Sequence, residues 1–283
     1  MTVVLGADSY PDALVARLRE STEAAAAASR QWLGKHDKNA ADAAATTAMR
    51  RALADAPFTG TVVIGEGEKD HAPMLANGES LGSGGEPHSD VAVDPLDGTR
   101  LTAEGIPGSI CVIALAPRGS MFDPVGVFYM DKLICGAIGR GVVDIRRSVV
   151  ENLTALALAK GVAVTQLRVA VLDKPRHVQL VADIRSAGAR VRLVGEGDVS
   201  AAIAAASGGS DVDLVLGIGG TPEGIIAACG VRALGGVMQG RLAPQSDEEM
   251  ATALAAGHDL ASILELDDLV RSDEVLFVST RVL

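Results

Sequence analysis

From about Leu167 onward the chain reads as strand, loop and helix, three times over. Leu167 to His177, LRVAVLDKPRH, leads into the helical pattern VQLVADIRSAG. Val191 to Asp198, VRLVGEGD, leads into VSAAIAAAS, and Val212 to Gly224, VDLVLGIGGTPEG, leads into IIAACGVRALG. Short apolar runs alternating with helical ones predict a parallel or mostly parallel sheet covered by helices, an α/β fold. Ligands of such sheets bind outside the carboxyl ends of the strands, where these three loops would gather with Lys174, Arg176, Glu196, Asp198 and Glu223.

The preceding residues have another texture. A helical pattern runs from Pro11 to Gly34, with Leu14, Leu18 and an Ala-rich run, and a second covers Asn39 to Ala54. Thr61 to Ile64 reads as a strand opening into GEGE, and VAVD follows the loop GSGGEPHSD. Ser109 to Pro117 and the apolar stretch KLICGAIG from Lys132 are further strand candidates. The tail offers a helix near Glu248 to Ala256, capped by Ser246 or Asp247, and a last strand VLFVST. The division expected is an N-terminal α+β region, residues 1–160, and a C-terminal α/β region, residues 161–283.

Hydrophobic residues make up 48% of the chain and aromatics 2%, which suits helices packed closely on sheets. The formal charge of −11 excludes nucleic acid and anionic membrane as partners, so an anionic substrate needs local positive groups. Cys111, Cys135 and Cys229 lie far apart in apolar runs, predicting buried reduced thiols and a cytoplasmic protein. No run of some 18 apolar residues and no basic, apolar leader is present, so neither a membrane span nor a secretory signal is expected.

Five stretches carry chemistry. Asp94-Pro95-Leu96-Asp97-Gly98-Thr99 puts two carboxylates three apart behind an apolar strand, where a divalent cation would relieve their repulsion and Thr99 could position a water. A surface Asx turn is the alternative. Gly65 to Glu68, GEGE, adds Glu66 and Glu68 at another strand end. Asp37 to Asp42, DKNAAD, places Asp37 as a helix cap and Asp42 one turn in. Lys174-Pro175-Arg176 brings a point charge and a planar fork to a helix start, where a phosphate would sit; a solvated basic pair is the alternative. Gly217 to Gly224, GIGGTPEG, either cradles a phosphate or makes a tight turn into a helix. The five histidines lack ligand spacing, with His71 and His177 nearest the site loops.

DKNAAD, VVIGEGEKDHAPML, VAVDPLDGT, FYMDKL, LDKPRH, GARVRLVGEGDV and GIGGTPEG occur in the order seen in class II fructose-1,6-bisphosphatases, which the chain resembles from Asp37 to Leu242. That family sits in the lithium-sensitive, metal-dependent phosphatase superfamily with the inositol monophosphatases. The resemblance implies a layered αβαβα sandwich of the sugar phosphatase (inositol monophosphatase-like) type, Mg²⁺ or Mn²⁺, and hydrolysis of the 1-phosphate of fructose 1,6-bisphosphate. It implies Asp42 and Glu66 on one metal and Asp94, Asp97 and Glu223 on another. Asp97, Gly98, Thr99, Tyr129, Lys174, Pro175, Arg176, Glu196, Gly197, Asp198 and Gly220 fall where the family binds substrate. Thr99, Asp97 and Glu66 would do the chemistry, in a homo-oligomer acting on a small sugar phosphate.

Three positions depart from the family pattern. Asp97 stands where Glu is more frequent, Glu196 replaces an Asp, and His71 replaces an acidic residue. The chain stops at Leu283 where family members continue with further strands. These departures keep open a phosphatase for another sugar or cyclitol phosphate, such as sedoheptulose 1,7-bisphosphate, and further off a non-catalytic paralogue that only binds a sugar phosphate.

Overall fold

A computed structural model describes residues 1–283 except 67, 70, 71, 74 and 210, and for 68, 69, 72 and 73 it describes the backbone alone. Gly67 and His71 of the sequence analysis lie outside the described residues, as does the side chain of Glu68. The chain forms two compact units, Met1–Asp123 with Val270–Leu283, and Pro124–Leu269. Each holds a six-stranded mixed sheet, so the α/β class holds.

The first unit contains β1 (Thr2–Leu5), α1 (Asp12–Arg30), α2 (Lys38–Leu53), β2 (Thr59–Ile64), β3 (Glu68–Lys69), β4 (Ala72–Pro73), β5 (Ser80–Leu81), β6 (His88–Asp97), α3 (Thr99–Glu104) and β7 (Ile110–Pro117). The last strand of the chain, Leu276–Arg281, returns to this unit and inserts between β1 and β7, giving the order β1, last strand, β7, β6, β2, β5. The Ala-rich run explains how α1 lies on α2: Ala25 and Ala26 of one and Ala41 and Ala45 of the other are fully buried. Leu14, Leu18, Met49 and Leu53 fill the space down to Val91, Val93, Ile113, Leu115 and Val278 of the sheet. Asp37 caps α2 as expected, its side chain accepting from the Ala40 amide at 3.0 Å.

The second unit contains β8 (Tyr129–Cys135), α4 (Val149–Lys160), β9 (Arg168–Leu172), α5 (Val178–Ser186), β10 (Arg190–Val194), α6 (Asp198–Ala206), β11 (Leu214–Gly220), α7 (Thr221–Ala233), β12 (Val237–Leu242), α8 (Asp247–Ala255), β13 (Leu264–Glu265) and α9 (Leu266–Leu269). The last strand of the chain is thus β14. The three strand–loop–helix units are all present. Their sheet corrects one expectation: β10, β9 and β11 are parallel, but β8 runs antiparallel to β11 and to β12, so the sheet is mixed. The strand read from Lys132 onward belongs to this sheet, and pairing direction is a long-range property that an apolar run does not encode. Ser148 and Glu151 cap α4 reciprocally, and Ser246 caps α8.

Cys111, Cys135 and Cys229 are buried thiols outside any disulfide, as expected. Burial pushes the Cys135 thiol up to about 12, so it is an inert apolar filler at neutral pH. Among the described residues no helix is long and apolar enough to cross a membrane.

Candidate functional site

In the first unit the acidic positions collect at one end of two neighbouring strands. β2 and β6 run parallel, with Thr59 opposite His88 and Ile64 opposite Ala92. Glu66, two residues beyond Ile64, and Asp94, two beyond Ala92, therefore leave the pair at the same end. The expected turn at DPLDGT is instead a bulged strand. Asp94 pairs with Val112 and Asp97 with Ile110, so one extra residue is taken up between them. Pro95 falls inside that bulge, where its missing N–H breaks no ladder bond. One Asp94 oxygen accepts from the Leu96 amide at 2.9 Å, so the Asx geometry raised as the alternative is present at this residue.

Asp97 is buried and Asp94 half-buried. Gly98 then takes a left-handed conformation, φ 88°, which reverses the chain into α3 and sets Thr99 at its first position. Asp42 is buried in α2, and α2 packs against both β6 and α3. Gly65 lies so close to the Leu75 carbonyl that a side chain there would collide with it, which holds the strand end that presents Glu66. Among the described residues, no three His, Cys, Asp or Glu side chains close into a ready cage for a metal.

In the second unit the predicted residues gather at the carboxyl ends of β9, β10 and β11. Lys174 precedes a short helical turn, Pro175–His177, that runs on into α5. Arg176 donates from Nε and Nη2 to the Ile218 carbonyl, at 3.1 and 2.8 Å, and its guanidinium lies over the Tyr129 ring, 5.1 Å from the centroid. Tyr129 and Arg176, which no sequence spacing connects, thus form one surface. Glu196 and Gly197 enter α6, with Gly197 left-handed at its cap and Asp198 buried in its first turn.

Glu223 stands in the first turn of α7, and its Oε2 is enclosed with no hydrogen-bond donor reaching it among the described residues. Burial, reinforced by the neighbouring Asp198, holds its pKa above the ordinary carboxylate value, while Lys132 opposes the shift. An enclosed carboxylate oxygen without a donor is costly, and a cation bound there would offset that cost. That single carboxylate oxygen is suited to a divalent cation.

The glycines of GIGGTPEG make the tight passage into a helix raised as one alternative, β11 ending at Gly220 and α7 beginning at Thr221. A Cβ on Gly219 would stand 2.2 Å from Asp198 Oδ2, and one on Gly220 would stand 1.7 Å from Glu223 Oε2. They make room for buried polar side chains. Sequence reasoning missed the residue at the centre of these, Lys132, although a lysine inside the apolar strand YMDKLIC was a visible signal.

His177 has a structural role. Its Nδ1 lies 2.7 Å from the Leu172 carbonyl and its Nε2 accepts from the Ile218 amide at 2.8 Å, so the ring is neutral with the proton on Nδ1. Burial comes first among the causes that lower its pKa. Because the folded form disfavours the second proton, stability is fully present above the ordinary histidine value and declines as pH falls below it. The melting temperature is expected to drop between about pH 7 and pH 5. His177→Gln should flatten that limb of the curve, and an unchanged slope would mean that His177 does not set it.

Carboxylates at one sheet end, together with a lysine–arginine loop and crowded helix starts, are the equipment of a phosphate-handling enzyme of the α/β class. Comparison narrows this. The family described as bacterial fructose-1,6-bisphosphatase, glpX-encoded, matches residues 12–283. The chain is 41% identical over 274 residues to fructose-1,6-bisphosphatase 1 class 2 of Escherichia coli (strain K12), covering 92% of this chain and 81% of that protein. Fructose-1,6-bisphosphatase class 2 of Shigella flexneri is similar to the same extent, 41% over 274 residues, with 92% and 81% covered. The chain belongs to the glpX-encoded bacterial fructose-1,6-bisphosphatase family.

Proposed function

We propose that the chain hydrolyses the 1-phosphate of fructose 1,6-bisphosphate to fructose 6-phosphate and phosphate, using Asp42, Glu66, Asp94, Asp97 and Glu223 as ligands for Mg²⁺ or Mn²⁺. The observation that carries the reading is the family match over residues 12–283. The enzyme is a phosphoric monoester hydrolase, and membership of the family brings a divalent-metal requirement. The inositol monophosphatase-like fold type is proposed with it. The enclosed Glu223 oxygen and the matched strand ends of Glu66 and Asp94 support the ligand set.

When bound, the cation neutralises charge developing on the departing phosphate oxygens. The Thr99 hydroxyl, with Asp97 beside it, orients the attacking water in line with the phosphorus. The water oxygen bonds to phosphorus as the bond from phosphorus to the C1 oxygen breaks, and that oxygen leaves with the proton the water gives up. Lys174 and Arg176 grip the sugar or its second phosphate. Arg176 spends Nε and Nη2 on the Ile218 carbonyl, which leaves Nη1 for an anion. Glu196, Gly197, Asp198 and Gly220 contact the sugar, and the extra methylene of Glu196 favours a second reading in which another ketose bisphosphate is preferred.

The test is phosphate release from a panel of sugar bisphosphates, monophosphates and an inositol phosphate, with Mn²⁺, with Mg²⁺ and with chelator. Chelator-sensitive release chiefly from fructose 1,6-bisphosphate is expected. Metal-dependent release from another substrate would keep the ligand set and change the substrate. No release from any member would overturn the reading.

A further inference from the structure

β8 lies between β11 and β12, a place where side chains are apolar, yet it carries Lys132 opposite Gly217 and Gly240. The residue is 2% exposed. Its Nζ donates to the Gly220 carbonyl at 2.9 Å and pairs with Asp198 Oδ2 at 2.5 Å. Gly219 clears its course, since a Cβ there would stand 2.8 Å from its Nζ, and a Cβ on Gly224 would meet its Cδ in ordinary contact at 3.4 Å. The stem therefore runs past the first turns of α7, and the ammonium arrives where α6 and α7 both begin.

A buried ion pair is a poor stabiliser, because desolvation offsets most of the attraction and an apolar replacement is often as stable. What such a pair supplies is a fixed geometry. The Lys132 ammonium ties the side chain of Asp198 to the backbone at Gly220, two positions proposed above to bind sugar phosphate. Lys132 itself is too enclosed to touch a ligand.

We propose that Lys132 is a positioning residue for substrate recognition, acting through Asp198: its ammonium fixes the Asp198 carboxylate and the Gly220 turn in one arrangement complementary to the sugar phosphate. The proposal rests on the reading of Asp198 and Gly220 as substrate-binding residues. A lysine serving stability alone would lower the melting temperature without changing affinity.

The experiment compares wild type, Lys132→Met, Lys132→Arg, Asp198→Asn and the Lys132→Met/Asp198→Asn double variant. Steady-state kinetics on fructose 1,6-bisphosphate and calorimetric titration with fructose 6-phosphate are the readouts. Lys132→Met is expected to raise KM and weaken fructose 6-phosphate binding by about tenfold, with kcat changed less, and Lys132→Arg to recover part of the loss. The double variant should bind only slightly worse than Asp198→Asn alone, because with the carboxylate gone the lysine retains only its bond to the Gly220 carbonyl. Should Lys132→Met fail to fold, the double variant, which leaves neither member of the Lys132–Asp198 pair charged, carries the test. Unchanged KM and affinity in folded Lys132→Met, or a further tenfold loss in the double variant beyond Asp198→Asn, would overturn the proposal. A wild type that neither hydrolyses the bisphosphate nor binds fructose 6-phosphate would instead overturn the site reading beneath it.

Discussion

Glu223→Ala is expected to lower metal-dependent phosphate release by at least about a hundredfold, with the metal-free protein as stable as wild type or more so. The two halves of that expectation come from one observation. Glu223 Oε2 is enclosed with no donor among the described residues, and burial holds the carboxyl above its usual pKa. In the absence of a cation the ionised group opposes folding, so removing it relieves a cost. With a cation present, the same group becomes a ligand whose loss falls on turnover. Asp94→Ala should lose activity to a similar extent; one of its oxygens also accepts the Leu96 amide, so a small fall in stability is expected as well. Thermal melts in chelator and rate assays in excess Mn²⁺ measure the two halves separately. Near-normal rates in either variant would show that the ligand set is misplaced.

The residues on which this prediction turns were singled out by the family resemblance, because a carboxylate beside Gly and Pro or at a helix start has ordinary structural uses as well. The local geometry behind them was not legible in the sequence. DPLDGT read as a strand ending in a turn, whereas β6 continues to Asp97 through a bulge, since register is fixed by β7 on the other side of the pair. The helices α1, α2, α5, α6, α7 and α8 were read close to their bounds, with Asp37 and Ser246 capping where their side-chain chemistry places them, whereas α3, α4 and α9 were not read. Strand partners were less visible. Nothing in LFVSTR announces that it inserts between β1 and β7, and nothing in KLICGAIG announces antiparallel pairing to both β11 and β12. Both are contacts between segments far apart in sequence, and apolar periodicity reports burial without naming the partner. The role of Lys132 was hidden for the same reason: its pairing with Asp198 joins β8 to the first turn of α6, which only the fold brings together.

Gly220→Ala separates packing from backbone freedom. Gly220 has φ −65° and ψ 139°, a conformation alanine adopts without strain, so the substitution has no conformational cost of its own. The added methyl would stand 1.7 Å from Glu223 Oε2 and 2.6 Å from its carboxyl carbon, and the carboxylate must move. Gly220→Ala should therefore lose activity by about as much as Glu223→Ala, on the order of a hundredfold, although it removes no functional group. In the Gly220→Ala/Glu223→Ala double variant the clash has no partner, so activity should be no lower than in Glu223→Ala, while stability should exceed that of Gly220→Ala alone. Melting temperatures and rates of the three variants give the cycle. Wild-type rates in Gly220→Ala would mean that the Glu223 carboxylate can leave this position without consequence, and that its enclosure beside Gly220 is incidental to the reaction.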